Sequence, residues 1–312
     1  MIEWKQPDIY NLSELRRAAS DAGAMSSDLS ATNIYLLRHK YQTLIAYTGG
    51  FLVRWYQTSA DLSGRNGITF PAGSGDPEKA VQELIQDRTS RGLPVHFVFL
   101  TEQQKDWLAS RWPELTFSSD PGNTDYLYTA QHLARLPGRT NHKKRNHVAG
   151  FKKDYPDCRF ELCTTAADAD ALVETERRWL AEQDPSAVTN SMLLEQAEIQ
   201  EVAAHWQELS VLGAVLRVNG EPAAMTIASC ISPGVYDIHF EKSYGAYARS
   251  GGFAAINMMF AEYLYTACGA QWINREEDIN IEGLRKAKQS YHPDMLLPKY
   301  DCILDMPAAR EA

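Results

Sequence analysis

The spacing of apolar and polar residues predicts helices and strands that alternate along the first half of the chain. Residues 43–48 and 51–56 are rich in β-branched and aromatic side chains around Gly49-Gly50, which predicts a hairpin. Other runs are apolar over strand length or repeat every three to four residues, as amphipathic helices do. The further predicted strands are 67–71, 95–100 and 125–129, and the predicted helices are 11–22, 76–91 and 102–112.

The second half continues with a more antiparallel pattern. Three apolar runs separated by Asn219-Gly220 and Pro233-Gly234 predict a meander, because both dipeptides favour tight turns. A glycine-rich loop at 244–252 precedes a helix at 253–267. The remaining predicted elements are strands at 159–163, 271–274 and 300–304 and helices at 167–182 and 191–207. The two halves together predict an α/β (α+β) fold with mixed, largely antiparallel sheets.

Segment 274–300, NREEDINIEGLRKAKQSYHPDMLLPKY, is the most densely charged passage of the chain. Four of its apolar residues recur at helical spacing and predict one buried stripe: Ile281, Leu284, Ala287 and Tyr291. That stripe leaves Arg285 and Lys288 together on another side of the helix. The arginine and the three acidic residues of 275–278 then lie on the loop that precedes the helix, and catalytic residues are often found on loops. A solvated helix with ion pairs is the alternative interpretation.

Length and composition indicate a two-domain globular protein. The chain has 312 residues, of which 44% are hydrophobic, enough for two cores. The N-terminal segment lacks the apolar run of a secretory signal, and no window reaches the length that spans a bilayer. We therefore expect a soluble, cytoplasmic protein. Five cysteines with no CxxC pair indicate neither a disulfide framework nor a zinc site, so no metal is expected.

Basic residues are concentrated in one segment of an acidic chain. The formal net charge is −9, which opposes indiscriminate binding to nucleic acids. Segment 139–153, RTNHKKRNHVAGFKK, holds six Lys and Arg and no acid, so the other 25 basic and 40 acidic residues leave the rest at −15. Val148, Phe151 and Tyr155 are spaced to dock this segment as a helix with its basic side chains in solvent. Such a helix suits a phosphate backbone, or else it is a solvated helix that pairs with acids elsewhere.

Several motifs resemble one family. They are YLYTAQHLARLPGRTNHKKRNHVAGFKKDYP, then FEKSYGAY with Ala255-Ile256-Asn257, then NREEDINIEGLRKAKQSYHP and the residues 297–300. They resemble the C-terminal domain of bacterial phosphatidylglycerol lysyltransferases in a soluble, stand-alone form, over roughly 30–304. The element order is also that of the GCN5-related N-acetyltransferase (GNAT) fold, and the architecture is similar to that of Fem-type transferases.

The resemblance implies two tandem GNAT-like domains joined by a basic helix. The expected boundaries are 1–137 for the first domain, 138–156 for the connecting helix and 157–312 for the second domain, which carries the active site. The family implies transfer of an aminoacyl group from charged tRNA, with no other cofactor, to a lipid resembling phosphatidylglycerol. No membrane half is recognised in the sequence, so the acceptor of the aminoacyl group could instead be another small molecule with a hydroxyl or amine. Peripheral contact with a membrane is also compatible with the sequence. The residues expected to contact tRNA are Arg139, Lys143, Lys144, Arg145, Lys152 and Lys153.

Acyl transfer from an ester needs a base for the nucleophile and a stabilised oxyanion, which indicates the candidate site residues. Glu241 is the first choice as the base, because it ends a central strand beside the glycine loop; an ion pair with Arg275 is its alternative role. The predicted catalytic residues are Glu241, Arg275, Glu276 and Asp278. The predicted substrate-binding residues are Lys242, Asn257, Asn274, Lys286 and Lys288.

Two other functions remain open on the sequence. One is an acyl-CoA-dependent N-acyltransferase, whose glycine loop binds pyrophosphate at a helix N-terminus. Segment 249–254, RSGGFA, only approximates that loop because its two glycines are adjacent. The other is a non-catalytic module that binds tRNA or phosphate, although the polar density around Glu241 and 274–288 favours an enzyme.

Overall fold

The computed structural model describes residues 1–58 and 66–304, which form twelve α-helices and thirteen strands. The helices are α1 Leu12–Asp21, α2 Ala31–Leu36, α3 Glu78–Ser90, α4 Glu102–Arg111, α5 Ala130–Arg135, α6 His142–Asp154, α7 Asp170–Ala181, α8 Asn190–Ala204, α9 Trp206–Leu209, α10 Gly245–Arg249, α11 Gly252–Ala267 and α12 Glu282–Gln289. The strands are β1 Leu44–Thr48, β2 Phe51–Gln57, β3 Asn66–Ile68, β4 Val95–Leu100, β5 Phe117–Ser118, β6 Asp125–Thr129, β7 Arg159–Cys163, β8 Leu212–Val218, β9 Glu221–Ser232, β10 Val235–Ser243, β11 Trp272–Asn274, β12 Met295–Leu297 and β13 Tyr300–Leu304.

The chain forms two compact units, each built from segments that are distant in sequence. Unit 1 comprises Met1–Asp125, Glu277–Ile281 and the C-terminal segment from Leu296, and unit 2 comprises Tyr126–Glu276 and Glu282–Met295. This division differs from the predicted boundaries at 137 and 156. The basic helix α6 packs on α11 and is therefore part of unit 2. The last strand, β13, pairs with β4 and is therefore part of unit 1.

Unit 1 contains a six-stranded sheet in the order β1-β2-β3-β4-β13-β5. The predicted hairpin of β1 and β2 is confirmed, with Gly49 and Gly50 both at positive φ in its turn. The sheet core includes Val53 and Phe97, which are fully buried.

A buried lysine joins all three segments of unit 1. Lys299 is 4% exposed, and its Nζ lies 2.5 Å from Asp28, 2.7 Å from Asp125 and 3.0 Å from Glu277. Burial by itself lowers the pKa of Lys299, but the three carboxylates outweigh it and raise that pKa well above its ordinary value. Lys299 therefore stays charged, and it ties the C-terminal segment and the 277–281 segment to the rest of the unit.

Unit 2 is built on a seven-stranded sheet in the order β12-β6-β11-β10-β9-β8-β7. The predicted meander is β8, β9 and β10, paired antiparallel. Helices α5, α6 and α11 pack together over one face, around fully buried side chains such as Phe151, Phe260 and Ile273. Helix α7 contacts β8, β9 and β10.

A β-bulge in β10 changes which side chains face α11. The pairing with β9 shifts between Ile238 and Phe240, so His239 is an additional residue in the strand. In a regular strand, Ile238 and Glu241 face opposite sides because the side-chain period is two. With one residue inserted they share a side: Ile238 belongs to the core that includes α11, and Glu241 bonds to Asn257 of α11.

The predicted apolar stripe of α12 is wrong except at its last residue. Ile281 and Leu284 are 49% and 40% exposed and Ala287 is also exposed, whereas Tyr291 is buried. The helix is only eight residues long and presents no apolar face to a core. Two other contacts hold the helix in place. Tyr291, which follows the C-terminal end of the helix, is buried. The Tyr128 hydroxyl donates a hydrogen bond to the Lys288 carbonyl oxygen of the helix backbone at 2.6 Å.

Candidate active site

The Glu241 carboxylate is held on both oxygens by predicted site residues. Its Oε1 accepts a hydrogen bond from Arg275 Nη2 at 2.9 Å, and its Oε2 accepts one from Asn257 Nδ2 at 2.9 Å. The Glu241 and Arg275 side chains are only 10% and 12% exposed. Three residues predicted from separate motifs therefore converge, and the ion pair weighed as an alternative role for Glu241 is present.

Two tyrosines form the aromatic wall of this cluster. The guanidinium carbon of Arg275 lies 4.8 Å from the ring centroid of Tyr291 and 5.9 Å from that of Tyr128. The two rings meet edge to face with centroids 6.4 Å apart. Burial raises the pKa of both phenols, so both rings stay neutral and present their electron-rich faces to a cation.

Lys144 belongs to the same cluster, although it was predicted to contact tRNA from a solvated surface. Its Nζ lies 3.9 Å from the Tyr291 ring centroid, so two cations contact the same aromatic ring. Burial, reinforced by the positive charge of Arg275 and opposed by Glu241, lowers the pKa of Lys144 to about 8. The sequence carried a signal for this position, because Lys144, Val148 and Phe151 share one helix face at i, i+4 and i+7. Val148 and Phe151 are both buried, as predicted.

We name the set of Glu241, Asn257, Arg275, Tyr128, Tyr291 and Lys144 the Arg275 cluster. One guanidinium nitrogen in it, Arg275 Nη1, is buried and has no hydrogen-bond partner among the described residues. The same is true of Asn257 Oδ1. An unpaired buried donor costs roughly 1–3 kcal/mol, so such groups in a folded protein call for an explanation, such as a bound water or a ligand.

The other basic residues of the α6 region divide into two kinds. Arg145 donates to the carbonyl oxygens of Leu136 and Gly138, the latter at 2.7 Å, and thereby closes the end of α5. It is half-buried, so its expected solvent position is not observed. Four side chains are exposed and form no salt bridge with any described residue; we call Arg139, Lys143, Lys152 and Lys153 the α6 basic surface.

The loop after β11 has a strained backbone, and three more predicted residues lie in it or at the end of β11. Glu276 lies at φ +55°, in the left-handed region that a non-glycine residue rarely adopts. Asn274 is fully buried, and its Oδ1 accepts the Glu276 N–H at 2.7 Å, which fixes this turn. Asp278 is fully buried in unit 1, and its Oδ1 accepts the Asn280 N–H at 2.9 Å. Asn274 therefore shapes the loop, and Asp278 belongs to the other unit from the Arg275 cluster.

The remaining predicted lysines lie outside the Arg275 cluster. Lys286 is exposed and pairs with Glu282 one turn away, as the solvated-helix interpretation requires. Lys288 contributes its carbonyl oxygen to Tyr128.

Lys242 belongs to a second buried cluster, which the sequence did not reveal. Its Nζ lies 3.5 Å from the ring centroid of Trp179, 3.8 Å from Glu176 Oε2 and in close contact with Glu195. Glu176 is fully buried, and this burial raises the pKa of its carboxyl to about 7, with Lys242 opposing the shift. The predicted helices 167–182 and 191–207 supply the acids, but their amphipathic pattern gave no reason to single out Glu176.

The two adjacent glycines at the start of α11 are required by close packing within unit 2. A Cβ on Gly251, which lies at φ +106°, would come within 2.5 Å of the His147 carbonyl oxygen in α6. A Cβ on Gly252 would come within 2.4 Å of Ser243 Oγ. Packing alone therefore accounts for both glycines, and the acyl-CoA alternative stays untested.

Comparison with known proteins agrees with this architecture. The family described as phosphatidylglycerol lysyltransferase, C-terminal, matches residues 21–303 of the chain. The chain belongs to this family. The tandem GNAT-like fold that the family resemblance implies is confirmed. No curated protein sequence matches the chain.

Three solved structures resemble this member of the phosphatidylglycerol lysyltransferase C-terminal family. A conserved protein of unknown function from Bacteroides thetaiotaomicron VPI-5482 is 27% identical, with a TM-score of 0.88 and coverage of 98% of this chain and 100% of that one. L-PGS from Bacillus licheniformis is 14% identical, with a TM-score of 0.67 and coverage of 98% and 94%. The C-terminal domain (DUF2156) of a proposed lysylphosphatidylglycerol synthetase from Agrobacterium fabrum is 16% identical, with a TM-score of 0.62 and coverage of 96% and 93%.

Family membership indicates a transferase. Among the described residues of this family member, no helix combines the length and apolar character needed to cross a membrane.

Proposed function

We propose that the protein is a cytoplasmic aminoacyltransferase that moves an aminoacyl group from charged tRNA to a hydroxyl or amine acceptor. The acceptor is a phosphatidylglycerol-like lipid or another small molecule. Arg275 stabilises the oxyanion, Lys144 transfers the proton, and Glu241 and Asn257 position Arg275.

The unpartnered, buried Arg275 Nη1 is the observation that carries this proposal. Attack on an ester carbonyl places negative charge on the carbonyl oxygen, and a fixed donor in a site of low polarity stabilises that charge strongly. Glu241 occupies only the other guanidinium nitrogen, Nη2. Because both carboxylate oxygens of Glu241 already accept hydrogen bonds, we assign it to positioning rather than to the role of base that the sequence suggested.

Lys144 is the proton carrier because it contacts the same Tyr291 ring as Arg275 and its pKa of about 8 permits both protonation states near neutral pH. The acceptor oxygen or nitrogen attacks the ester carbonyl carbon, and its proton passes to the neutral Lys144 amine. The tetrahedral intermediate then collapses, the bond to the 3′-oxygen of the tRNA breaks, and Lys144 returns the proton to that oxygen. The products are the acylated acceptor and uncharged tRNA.

An aminoacyl-transfer assay with matched variants tests these roles. The full chain is incubated with radiolabelled aminoacyl-tRNA and phosphatidylglycerol vesicles, and label in lipid and in small amine products is counted. We expect Arg275→Lys to lower kcat/KM roughly 10²- to 10³-fold, because lysine keeps the charge but loses the Nη1 donor. Arg135→Lys, in an exposed pair with Glu262, is the control and should be unchanged.

Two results would overturn the proposal. Equal rates for Arg275→Lys and Arg135→Lys would remove Arg275 from the oxyanion role. Transfer from radiolabelled acetyl-CoA, with none from any aminoacyl-tRNA, would show that the donor is a thioester.

A further inference from the structure

Three potential ligand side chains meet where β10 and β11 run side by side in unit 2. Their donor atoms, from Asp237, His239 and Glu276, all lie within 4.8 Å of one another. His239 Nδ1 is 3.5 Å from Asp237 Oδ2 and 3.7 Å from Glu276 Oε1. Both distances exceed those of good hydrogen bonds. They are close to the roughly 3.3–3.5 Å that separates two ligand atoms on one tetrahedral zinc ion, from metal–ligand distances of about 2.0–2.2 Å.

The histidine is buried with one ring nitrogen unpartnered. The His239 side chain is 1% exposed, and its Nδ1 has no hydrogen-bond partner among the described residues. Its other nitrogen, Nε2, lies 2.8 Å from Ser229 Oγ. When Nε2 donates its proton to Ser229, the Nδ1 lone pair points at the two carboxylates. An outer partner of this kind commonly fixes the orientation of a metal-binding histidine.

Two backbone irregularities bring these ligands together. His239 is the additional residue of the β10 bulge, and Glu276 lies at positive φ immediately after Arg275. Asp237 lies on regular β10, opposite Asn274 of β11. Bulges and strained residues recur at functional sites because the surrounding structure must maintain them. A single bound ion would account for both irregularities.

We infer that Asp237, His239 and Glu276 bind a divalent transition-metal cation of the zinc or manganese class. The ligand set of one imidazole and two carboxylates suits these ions, and the two carboxylates match the ion's charge. No sequence motif indicates the site, because Glu276 lies far along the chain from Asp237 and His239. The inference concerns binding and does not depend on the proposed aminoacyl transfer.

Calorimetric titration of the full chain with Zn²⁺ and with Mn²⁺, after dialysis against EDTA, tests the site. We expect one equivalent of metal to bind the wild type and His239→Ala to weaken that binding at least tenfold. Two controls address adventitious ligands and should bind like the wild type: Cys230→Ser removes an exposed thiol, and His147→Ala removes an exposed imidazole. Glu276→Gln is a second test variant with a 26% exposed side chain, useful if His239→Ala does not fold.

The melting temperature gives an independent readout. A cation that binds only the folded chain raises the Tm of the wild type but not of His239→Ala or Glu276→Gln. Absence of binding to the wild type would overturn the inference. Equal binding by wild type and both site variants would overturn it as well, because the metal would then reside elsewhere.

Discussion

Glu241 and Lys242 are neighbours on β10, yet the structure places them in different buried clusters. Glu241 bonds to Arg275 and Asn257, whereas Lys242 contacts Trp179 and lies beside Glu176. Alternation along a strand explains this separation once the strand is known. The side that each residue faces could not be read from the sequence.

The burial of Glu176 predicts a pH-dependent stability. Its folded-state pKa of about 7 is raised above the ordinary value of 4.5, so the carboxyl stabilises the fold when protonated. This contribution is fully present below about pH 4.5 and is lost as the pH rises through about 7. Glu176→Gln should therefore be more stable than the wild type by up to ~3 kcal/mol near pH 8, and similar to it near pH 4.

Urea unfolding of both proteins at several pH values measures this difference. A constant difference in unfolding free energy across that range would contradict the prediction, because the pH dependence would then arise from other groups. Glu174→Gln is a useful contrast: Glu174 bonds to Arg177 and Arg178, which lower its pKa to about 2.

Sequence reasoning found part of the site at the residue scale. Glu241 and Arg275 were predicted because they stand at the ends of predicted strands, and Asn257 because it is the polar residue of the Ala255-Ile256-Asn257 motif. Lys144 was expected in solvent but is half-buried, because its charge was given more weight than its place on the buried face of α6. Tyr128 was missed because a tyrosine in an apolar strand carries no sequence sign of a neighbouring cation.

The bulge in β10 is the decisive feature at the element scale. Without the additional residue, Glu241 would face away from α11 and could not meet Asn257. A bulge is defined by the partner strand, here β9, so the sequence of β10 alone cannot reveal it. The hairpin, the meander and most helices were predictable, because their patterns are local and their turns contain glycine.

Helix α6 combines two roles, since one face carries Lys144 into the Arg275 cluster and the α6 basic surface is exposed. If that surface contacts tRNA phosphates, the triple variant Lys143→Ala, Lys152→Ala and Lys153→Ala should bind tRNA more weakly. The slope of the logarithm of the tRNA-binding constant against the logarithm of salt concentration should fall in magnitude by about 2 to 3. Binding releases fewer counterions when three phosphate contacts are lost.

Filter binding over a salt series measures this slope. The control is a triple alanine variant of the exposed Lys5, Lys79 and Lys286, which changes the net charge equally. Equal loss in both triple variants would contradict a local contact and would indicate a response to overall charge only.

At the scale of the whole molecule, each unit is assembled from distant segments. The sequence was predicted to form three consecutive segments, with boundaries at 137 and 156. Units built from separated segments could not be predicted, because local patterns do not show which strands pair. The return of β13 to β4 depends on contacts between residues that are about 200 positions apart.

Lys299 makes unit 1 dependent on its last segment. Lys299→Met should destabilise unit 1 by ~3–5 kcal/mol, because three carboxylates would lose their buried cation. Lys105→Met, which removes a more exposed pair with Glu102, should destabilise the protein much less, because water screens that pair. The urea midpoints of unfolding of the two variants test this prediction. Equal midpoints would show that the contacts of Lys299 with the other segments do not stabilise the fold.

The place of β13 between β4 and β5 also bears on how the protein is made. A ribosome delivers β4 and β5 early, but the strand that separates them emerges only when residue 300 has left the exit tunnel. Throughout that interval, one edge of β4 has unpaired backbone N–H and C=O groups, which can pair with a strand of another chain. Unit 1 therefore cannot complete its sheet until β13 has been synthesised.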